Sequence, residues 1–356
     1  MGAKQNPLMK TKKHLSLLYL LFVAYAIPNA HSQANFRTMF YNVENLFDTE
    51  DSPNTNDADF LPEGSKRWTY GRYKTKIENI SKVISSVGEW GSPALIGLCE
   101  VENDKVMTDL TKYSSLKSQG YKYIITQSLD RRGINVALMY QRDQFKLLAH
   151  NAYRLPFPAR SQKRSRDVLH VSGQLMSGDT LDVFVCHFPS RRGGEQRSEP
   201  DRLLAASLVK SKVDSLMRKR RNCNILIMGD FNDEPSNKSM RVALDAKPIK
   251  GKPESKSLYN LFYGFEKPED KGSYKFRAQW NVLDQMIVSG NLLDRKRLFF
   301  VRPETAEIYS RSFLLTDDKS NGGKRPKKSY HGMKYEAGFS DHLPIIVDFS
   351  VKTKAN

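Results

Sequence analysis

The sequence contains few cysteines, far fewer acidic than basic residues, and no tract that would separate domains. Three cysteines occur among its 356 residues, at Cys99, Cys186 and Cys223. An odd number without close spacing argues against a disulfide framework and against a zinc site. Because all three lie in or beside apolar runs, we expect buried free thiols. There is no internal repeat and no linker rich in Pro, Gly or Ser, so one large domain is expected.

A hydrophobic run long enough to cross a membrane is also missing. The apolar stretch from Leu15 to Ile27 is shorter than the ~20 residues that a membrane span requires. Lysines precede it, and Ala30-His31-Ser32 provides a small-residue cleavage site. This layout predicts a secretory signal peptide over residues 1–32, with an uncleaved N-terminal anchor as the alternative. Residues 33–356 would then form a single secreted or periplasmic domain without a membrane span, taken to be monomeric.

Basic residues outnumber acidic ones by 57 to 39, which gives a formal net charge of +18. Four lysines and no acid lie within residues 1–32, so removing this segment lowers the net charge to +14. An excess of this size is typical of proteins that meet polyanions, although a basic protein merely kept soluble is the alternative. One basic run, Arg218-Lys219-Arg220-Arg221, ends a predicted helix. Cations suit the helix dipole there without any ligand.

Apolar runs of strand length recur along the chain. Several are apolar on successive residues, which predicts strands that are covered on both faces. The runs are Phe36–Tyr41, Ala94–Cys99, Tyr121–Thr126, Val136–Tyr140, Val168–Leu175, Leu181–Cys186, Asn224–Met228, Val282–Ser289 and Ile345–Val351. Between two of them, Ser177-Gly178-Asp179 predicts a hairpin turn.

Two segments have helical spacing instead. One face of the first segment carries apolar residues from Tyr73 to Val87, and the second segment covers Asp201–Arg218 after Pro200. The polar segment Asp48–Trp68 predicts a long loop, whose acids could alternatively hold a second cation. Few helices and many interior strands predict two packed sheets with helices on the outside.

Five short polar motifs each follow or end an apolar, strand-like run. They are Tyr41-Asn42-Val43-Glu44-Asn45, Gly97-Leu98-Cys99-Glu100, Met228-Gly229-Asp230-Phe231-Asn232-Asp233, Val282-Leu283-Asp284-Gln285 and Ser340-Asp341-His342. Carboxylates, amides and an imidazole at strand ends suit a hard divalent cation and a phosphate ester. Because the motifs are spread over the whole chain, only folding could bring them together, as expected of an active site.

The order and spacing of these motifs resemble the endonuclease/exonuclease/phosphatase superfamily, which includes pancreatic-type deoxyribonucleases and exonuclease III-like endonucleases. The resemblance runs from Met39 to Phe349. It implies an α/β fold, a four-layer sandwich in which two mixed β-sheets pack face to face with helices on the outside. It also implies a hydrolase of phosphoester bonds that uses Mg²⁺ or Mn²⁺, with Ca²⁺ as a further candidate.

Metal and substrate ligands follow from the same resemblance. Glu100 matches the principal metal ligand of the family, and Glu44 and Asp341 match further acids on the metal side. Asn42 resembles the amide that contacts the phosphate or the metal. Arg132, in Arg131-Arg132-Gly133-Ile134-Asn135, lies near the family's phosphate-contacting residues and is a candidate substrate contact.

Five matching positions are implied to be catalytic. His342 resembles the general base, and Asp284 the acid that orients it. Asp230 and Asn232 match the pair that orients the nucleophile and the scissile phosphate; side chains two residues apart point the same way from an extended segment. His187 resembles a histidine that binds phosphate or protonates the leaving group. The glutamate that pairs with this histidine in pancreatic-type enzymes has no counterpart that we can place.

The motifs predict a reaction class and leave the substrate open. The first hypothesis is a secreted nuclease that acts on DNA or RNA, because the net charge is strongly positive. The second is a phosphoesterase acting on a lipid headgroup, an inositol phosphate or another small phosphate ester. A binding module without catalysis is the third, although no matched catalytic position is missing. Tyr274, Phe276 and Trp280 could stack on a base or pack a strand edge.

Overall fold

The computed structural model describes residues 1–2, 34–88, 91–266 and 271–352. Apart from its first two residues, the predicted signal peptide therefore lies outside the described part of the chain. Compactness divides the chain into Met1–His31 and Ser32–Asn356, and all described helices and strands belong to the second unit. No described helix is both long enough and apolar enough to span a membrane.

Two large sheets form the centre of the second unit. One has six strands in the order β14-β19-β1-β2-β4-β3, and the other has seven in the order β5-β6-β7-β8-β13-β10-β9. The strands are β1 Ala34–Leu46, β2 Leu95–Val101, β3 Lys122–Ile125, β4 Asn135–Tyr140, β5 Phe145–Tyr153, β6 Val168–Leu175, β7 Thr180–His187, β8 Asn224–Asp230, β9 Ala246–Lys247, β10 Leu258–Asn260, β11 Tyr274–Phe276, β12 Gln279–Asn281, β13 Asp284–Ser289, β14 Phe299–Ile308, β15 Leu315–Asp317, β16 Lys324–Pro326, β17 Tyr330–His331, β18 Lys334–Tyr335 and β19 Ile345–Val351. The remaining strands form the hairpins β11-β12, β15-β16 and β17-β18.

Three α-helices are described, α1 (Tyr70–Gly88), α2 (Asp104–Lys112) and α3 (Glu195–Lys219). Helix α1 buries the predicted apolar face. Helix α2 was not predicted; Asn103 caps it by accepting a hydrogen bond from Val106 N at 3.0 Å.

Helix α3 begins earlier than the predicted start at Asp201 and continues through Pro200. Proline lacks the backbone N–H that would continue the helical ladder, which is why the sequence predicts a helix start there. The side chain of Arg202 holds the extra turn, because it donates to the Glu195 carbonyl at 3.0 Å and to Ser198 Oγ at 2.7 Å.

Alternation along the inner strands explains the four layers. On β8, Leu226 and Met228 belong to the cluster between the two sheets, whereas Ile225 and Ile227 pack with the apolar residues of α3. The sheets lie so close together at Gly97 that a Cβ on this residue would meet Met228 Sδ at 2.5 Å. The predicted sandwich of two mixed sheets with helices outside is confirmed.

The predicted strands are all present, and two long strands were missed. Strands β5 and β14 lie at the edges of their sheets and have many half-buried or exposed residues. They therefore lack the continuous apolar run that marks an inner strand. The predicted hairpin turn lies between β6 and β7, where Gly178 has a φ of 86°. The three cysteines are free and buried, as predicted.

Strand register brings the polar motifs to one edge of the sandwich. The parallel pair β7–β8 places His187 beside Asp230, and the antiparallel pair β8–β13 places Asp284 opposite the same residue. In the other sheet, the parallel pair β1–β2 aligns Asn42 with Cys99, the neighbour of Glu100. The segment Asp48–Trp68 is the predicted loop, with one short 3₁₀ turn.

Candidate active site

The carboxylate of Asp230, at the end of β8, is the centre of the site. It is buried, and its Oδ2 accepts a hydrogen bond from Asn42 Nδ2 at 3.0 Å. The same oxygen lies 3.6 Å from His187 Nε2 and 3.8 Å from His342 Nε2. The other oxygen accepts a hydrogen bond from the backbone N–H of Asn232 at 2.9 Å. Two imidazoles therefore approach one carboxylate oxygen.

His342 is held by a second carboxylate. Its Nδ1 lies 2.7 Å from Asp284 Oδ2, and its backbone N–H donates to Ser340 Oγ at 3.0 Å. The Tyr274 ring packs on the imidazole with 4.7 Å between ring centroids. Burial alone would lower the pKa of His342, but the carboxylates of Asp284 and Asp230 raise this pKa well above its ordinary value.

His187 lies in the opposite electrostatic environment. Burial lowers the pKa of its imidazole well below the ordinary value, and the guanidinium groups of Arg166 and Arg132 lower it further. Its Nδ1 has no hydrogen-bond partner among the described residues. Arg166, which is buried, donates to Asp130 Oδ2 at 3.1 Å and to the carbonyl of Phe188. Both effects favour the neutral form of the His187 imidazole over the imidazolium.

Glu100 is positioned by the strand that lies beside its own. Its Oε2 accepts a hydrogen bond from Asn45 N at 2.9 Å, and its Oε1 lies 3.4 Å from Asn42 Nδ2. The backbone is strained here, since Glu44, Asn45, Glu100 and Asn232 all have positive φ angles between 48° and 63°. Strain of this kind is typical of functional sites, where the surrounding structure maintains it.

Asp341 and Glu44 form an acidic group next to Glu100. Burial, together with the negative charges of Glu44 and Glu100, raises the pKa of Asp341 to about 7. Its carboxylate accepts no hydrogen bond from any described residue. A divalent cation would relieve this repulsion on Asp341, and carboxylate oxygens are donors that suit Mg²⁺ or Mn²⁺. The structure thus places the three predicted metal-side acids close enough to interact.

Glu44 also has a cationic partner that was not predicted. The Lys76 ammonium, buried in α1, lies 3.3 Å from Glu44 Oε2 and donates to Ser329 Oγ and to the Phe339 carbonyl. The backbone N–H of Ser329 donates to the same Glu44 oxygen at 2.8 Å. One oxygen of Glu44 is therefore occupied by protein donors, and its role as a metal ligand stays a prediction.

Among the described residues, two groups of potential metal ligands have donor atoms within 4.8 Å of one another, and neither contains Glu44, Glu100 or Asp341. They are Cys99, His187 and Asp230 in one case and Asp230, Asp284 and His342 in the other. The first is a poor metal site, because burial raises the pKa of the Cys99 thiol well above its ordinary value and keeps it protonated. The second group is His342 with the carboxylates of Asp230 and Asp284, the candidate general base and its partners.

Arg132 lies farther out than the other predicted residues. Its Nε is 3.6 Å from Asp130 Oδ1, its side chain is 42 % exposed, and no described contact joins it to Asp230. It is nevertheless near enough to His187 to lower the pKa of that imidazole. Its proposed contact with substrate stays a prediction.

The sequence reasoning missed the residues that support the site. Arg166 and Lys76 carry the buried charges beside it, and no motif marks either of them. Ser340 has a clearer signal, because it stands in the motif with His342; it donates to the Asn42 carbonyl at 2.7 Å. Of the three alternating aromatics, Tyr274 packs on His342, whereas Phe276 is 58 % exposed.

Comparison with known proteins identifies the class of fold. The model of the Endonuclease/Exonuclease/phosphatase family matches residues 37–351. The chain therefore belongs to this family, whose members are phosphoesterase hydrolases, many of them metal-dependent, and the predicted resemblance and enzyme class are confirmed. No curated protein sequence matches.

Solved structures with the same fold have diverged far in sequence. An endonuclease/exonuclease/phosphatase family protein from Bacteroides thetaiotaomicron is 17 % identical, with a TM-score of 0.55 over 90 % of this chain and 99 % of that one. A mannosyl-6-phosphatase from the same organism is also 17 % identical, with a TM-score of 0.53 over 88 % and 99 %. D. rerio TDP2, complexed with a single-stranded DNA product, is 12 % identical, with a TM-score of 0.53 over 89 % and 99 %.

Proposed function

We propose that this chain is an exported, divalent-metal-dependent phosphodiester hydrolase whose substrate is nucleic acid. The observation that carries the proposal is the pair of imidazoles beside Asp230, with His342 held by Asp284 at 2.7 Å. This arrangement supplies a base, a residue that orients the base, and a carboxylate that can position water.

In the proposed mechanism, His342 is the general base. The hydrogen bond from Nδ1 to Asp284 leaves Nε2 facing Asp230, so Nε2 can take a proton from a water molecule that Asp230 positions. Asp284 also stabilises the imidazolium that forms. Asn232, whose Nδ2 donates to the Phe188 carbonyl at 3.1 Å, would lie beside the scissile phosphate.

His187 acts as a hydrogen-bond donor. Because its pKa is lowered, the neutral imidazole is favoured, and a neutral ring can donate a hydrogen bond. Its Nε2 faces the carboxylates of Asp230 and Glu100, at 3.6 and 3.9 Å. A neutral N–H in this position would stabilise charge on a phosphoryl or leaving oxygen, together with the amide of Asn42.

The metal would be held by Glu100 and Asp341, with Glu44 beside them. When bound, Mg²⁺ or Mn²⁺ supplies positive charge that stabilises the developing charge on the phosphoryl oxygens. Ca²⁺ is bound by the same oxygen donors but with a looser geometry. Neutralising Asp341 would also remove part of the field that raises the pKa of His342, which favours the free base.

Nucleic acid is the proposed substrate because of charge. The net charge of +14 that remains after removal of residues 1–32 suits a polyanion, and the similar D. rerio TDP2 was solved with a single-stranded DNA product. A small phosphate ester is the second candidate, since the mannosyl-6-phosphatase has the same fold. Export is supported by the signal-peptide pattern of residues 1–32; the N-terminal residue of protein recovered outside the cytoplasm, expected to be Gln33, tests it.

Hydrolysis assays with three substrates test the proposed function. Plasmid DNA, single-stranded RNA and bis-p-nitrophenyl phosphate are each offered with Mg²⁺, Mn²⁺, Ca²⁺ or EDTA, beside the Asp230→Asn variant. We expect metal-dependent cleavage of at least one polymer that is lost in the variant. The apparent affinity for the polymer should fall steeply as salt rises, because bound phosphates release counterions.

Other outcomes decide between the candidates. Cleavage of the small diester with intact polymers would transfer the proposal to small phosphate esters. Turnover that persists in EDTA, or in the Asp230→Asn variant, would contradict the proposed mechanism itself.

A further inference from the structure

A basic cavity opens next to the active site. It has a volume of about 350 Å³ and lies between the segment that precedes β6 and the segment that joins β7 to α3. The lining residues that matter here are Arg131, Arg164, Ser165, Arg166, Ser190 and Arg192. A volume near the lower end of the small-molecule range suits one charged group better than a whole ligand of drug size.

Positive charge in this cavity is largely uncompensated. Its described lining includes five basic residues and one acid, Asp201. Asp201 Oδ1 forms an ion pair with Lys163 Nζ at 2.7 Å. Arg166 is paired with Asp130. Arg164 and Arg192 are exposed, and neither has an ion-pair partner among the described residues. An anion in this cavity would therefore meet two exposed arginines, Arg164 and Arg192, that no described carboxylate neutralises.

Two buried polar atoms in the wall of the cavity also lack partners. The Ser165 side chain is 8 % exposed and Arg166 is 5 % exposed. Neither Ser165 Oγ nor Arg166 Nε has a hydrogen-bond partner among the described residues. Buried donors without partners are costly, so they indicate a group that completes them when bound.

Arg166 joins this cavity to the catalytic centre. Its guanidinium donates to the carbonyl of Phe188, the residue that follows His187, and Asn232 donates to the same carbonyl. Pro189 and Ser190, the next residues along the chain, line the cavity. A group bound there would consequently lie beside the reacting phosphate, on the His187 side.

We propose that the cavity lined by Arg164, Ser165, Arg166 and Arg192 binds a second phosphate group of the substrate, next to the phosphoester that is cleaved. This inference rests on the proposed function, and it adds that the substrate carries at least two phosphates. The second phosphate could come from a neighbouring nucleotide or from a small bisphosphate, and the two sources are tested separately.

The test compares substrates that differ by one phosphate. The nucleotide arm compares the dinucleotide TpT with its 5′-phosphorylated and 3′-phosphorylated forms. The small-molecule arm compares inositol 1-phosphate with inositol 1,4-bisphosphate. We expect kcat/KM to be roughly 10-fold to 100-fold higher with the second phosphate in one arm, the ratio typical of hydrogen bonds to a charged group.

Variants with the same net charge distinguish phosphate binding in the cavity from a general effect of the protein's charge. The cavity variant is Arg164→Glu with Arg192→Glu. The control is Arg142→Glu with Arg218→Glu, two exposed arginines outside the cavity that change the net charge equally. The ratio of kcat/KM with the second phosphate to kcat/KM without it should fall to about one in the cavity variant and should persist in the control. An equal loss in both variants, or a preference that survives in the cavity variant, would overturn the proposal.

A binding measurement keeps this test independent of catalysis. Isothermal titration calorimetry of the full chain with pyrophosphate, in the presence of EDTA, should show binding. This binding should be lost in the cavity variant and retained in the control. Ser165→Ala should also weaken this binding without lowering the melting temperature, because the hydroxyl has no partner to lose. Absence of pyrophosphate binding, or equal binding by both charge variants, would refute the second-phosphate cavity even if the chain proved to be a nuclease.

Discussion

His187 and His342 approach the same oxygen of Asp230, at 3.6 and 3.8 Å, yet they lie in opposite fields. Burial lowers the pKa of His187, and the guanidinium groups of Arg166 and Arg132 near it lower this pKa further. The region around His342 contains carboxylates, which raise the pKa of His342. The pKa values of two identical side chains on one carboxylate are thus shifted in opposite directions by their surroundings.

This contrast gives the two histidines different chemical capacities. A histidine within an acidic group can accept a proton and remain stable as an imidazolium, as a general base must. A histidine whose pKa is lowered by burial and by nearby arginines favours the neutral form, which can donate a hydrogen bond to a reacting oxygen. Pairs of titratable groups whose pKa values are driven apart are typical of acid–base sites. The predictions below test whether this division of roles is real.

Removing the imidazole of His342 should have the largest effect. We expect His342→Ala to lower kcat on the order of 10²–10⁴-fold at saturating metal, because the general base is lost. The matched control is His150→Ala, since His150 is exposed on β5. Full activity in His342→Ala would show that His342 is not the base.

Asp284→Asn should change the pH dependence of the rate. A base works only when deprotonated, so activity should rise with pH through the pKa of His342. Asp284 raises that pKa; its loss should therefore move the rise in kcat to lower pH while also reducing the maximum. A pH profile of kcat for both proteins measures this, and an unchanged midpoint would contradict the role of Asp284.

Metal binding by the acidic group should depend on pH. The pKa of Asp341 is about 7, above its ordinary value of 3.8. The folded state therefore keeps a proton that the unfolded state releases, and the metal-free chain should lose stability as pH rises from about 4 to 7. At roughly 100-fold excess over its dissociation constant, Mg²⁺ should raise the melting temperature by about 5 °C at pH 8.

The increase in melting temperature caused by Mg²⁺ should be smaller at pH 5, where Asp341 remains protonated and cannot bind a cation. Thermal unfolding with Mg²⁺ or EDTA at both pH values measures it. Asp341→Asn should remove most of the increase at pH 8. An equal effect of Mg²⁺ on this variant and on the unmodified chain would move the metal away from Asp341.

Arg132→Gln should have the smallest effect. Arg132 is partly exposed and acts on His187 without a described contact, so its loss should raise the pKa of His187 slightly. NMR titration of the His187 ring tests this, with Arg142→Gln as the control. We expect kcat/KM to fall less than about 10-fold, as for one hydrogen bond to a charged group at most. A larger loss would indicate direct contact with substrate.

The inner strands were predictable because burial on both faces leaves a continuous apolar run. Strands β8 and β13 are examples, and the polar residues at their ends gave the motif positions of Asp230 and Asp284. Edge strands β5 and β14 have no such run, because one side of each faces solvent. The start of α3 was misplaced because Pro200 is a helix-start signal, whereas Arg202 stabilises an earlier turn through contacts that local sequence does not reveal.

The sequence alone determined which polar side chains stand at the ends of buried strands, and with them the family and the reaction class. These features are local, because each depends on a strand and its next few residues. Tertiary structure alone decided which carboxylates and arginines surround each imidazole. His342 and Asp284 are 58 residues apart, and Arg166 comes from a segment that carries no motif. Electrostatic energy depends on distance in space, so only the fold could distinguish the two histidines.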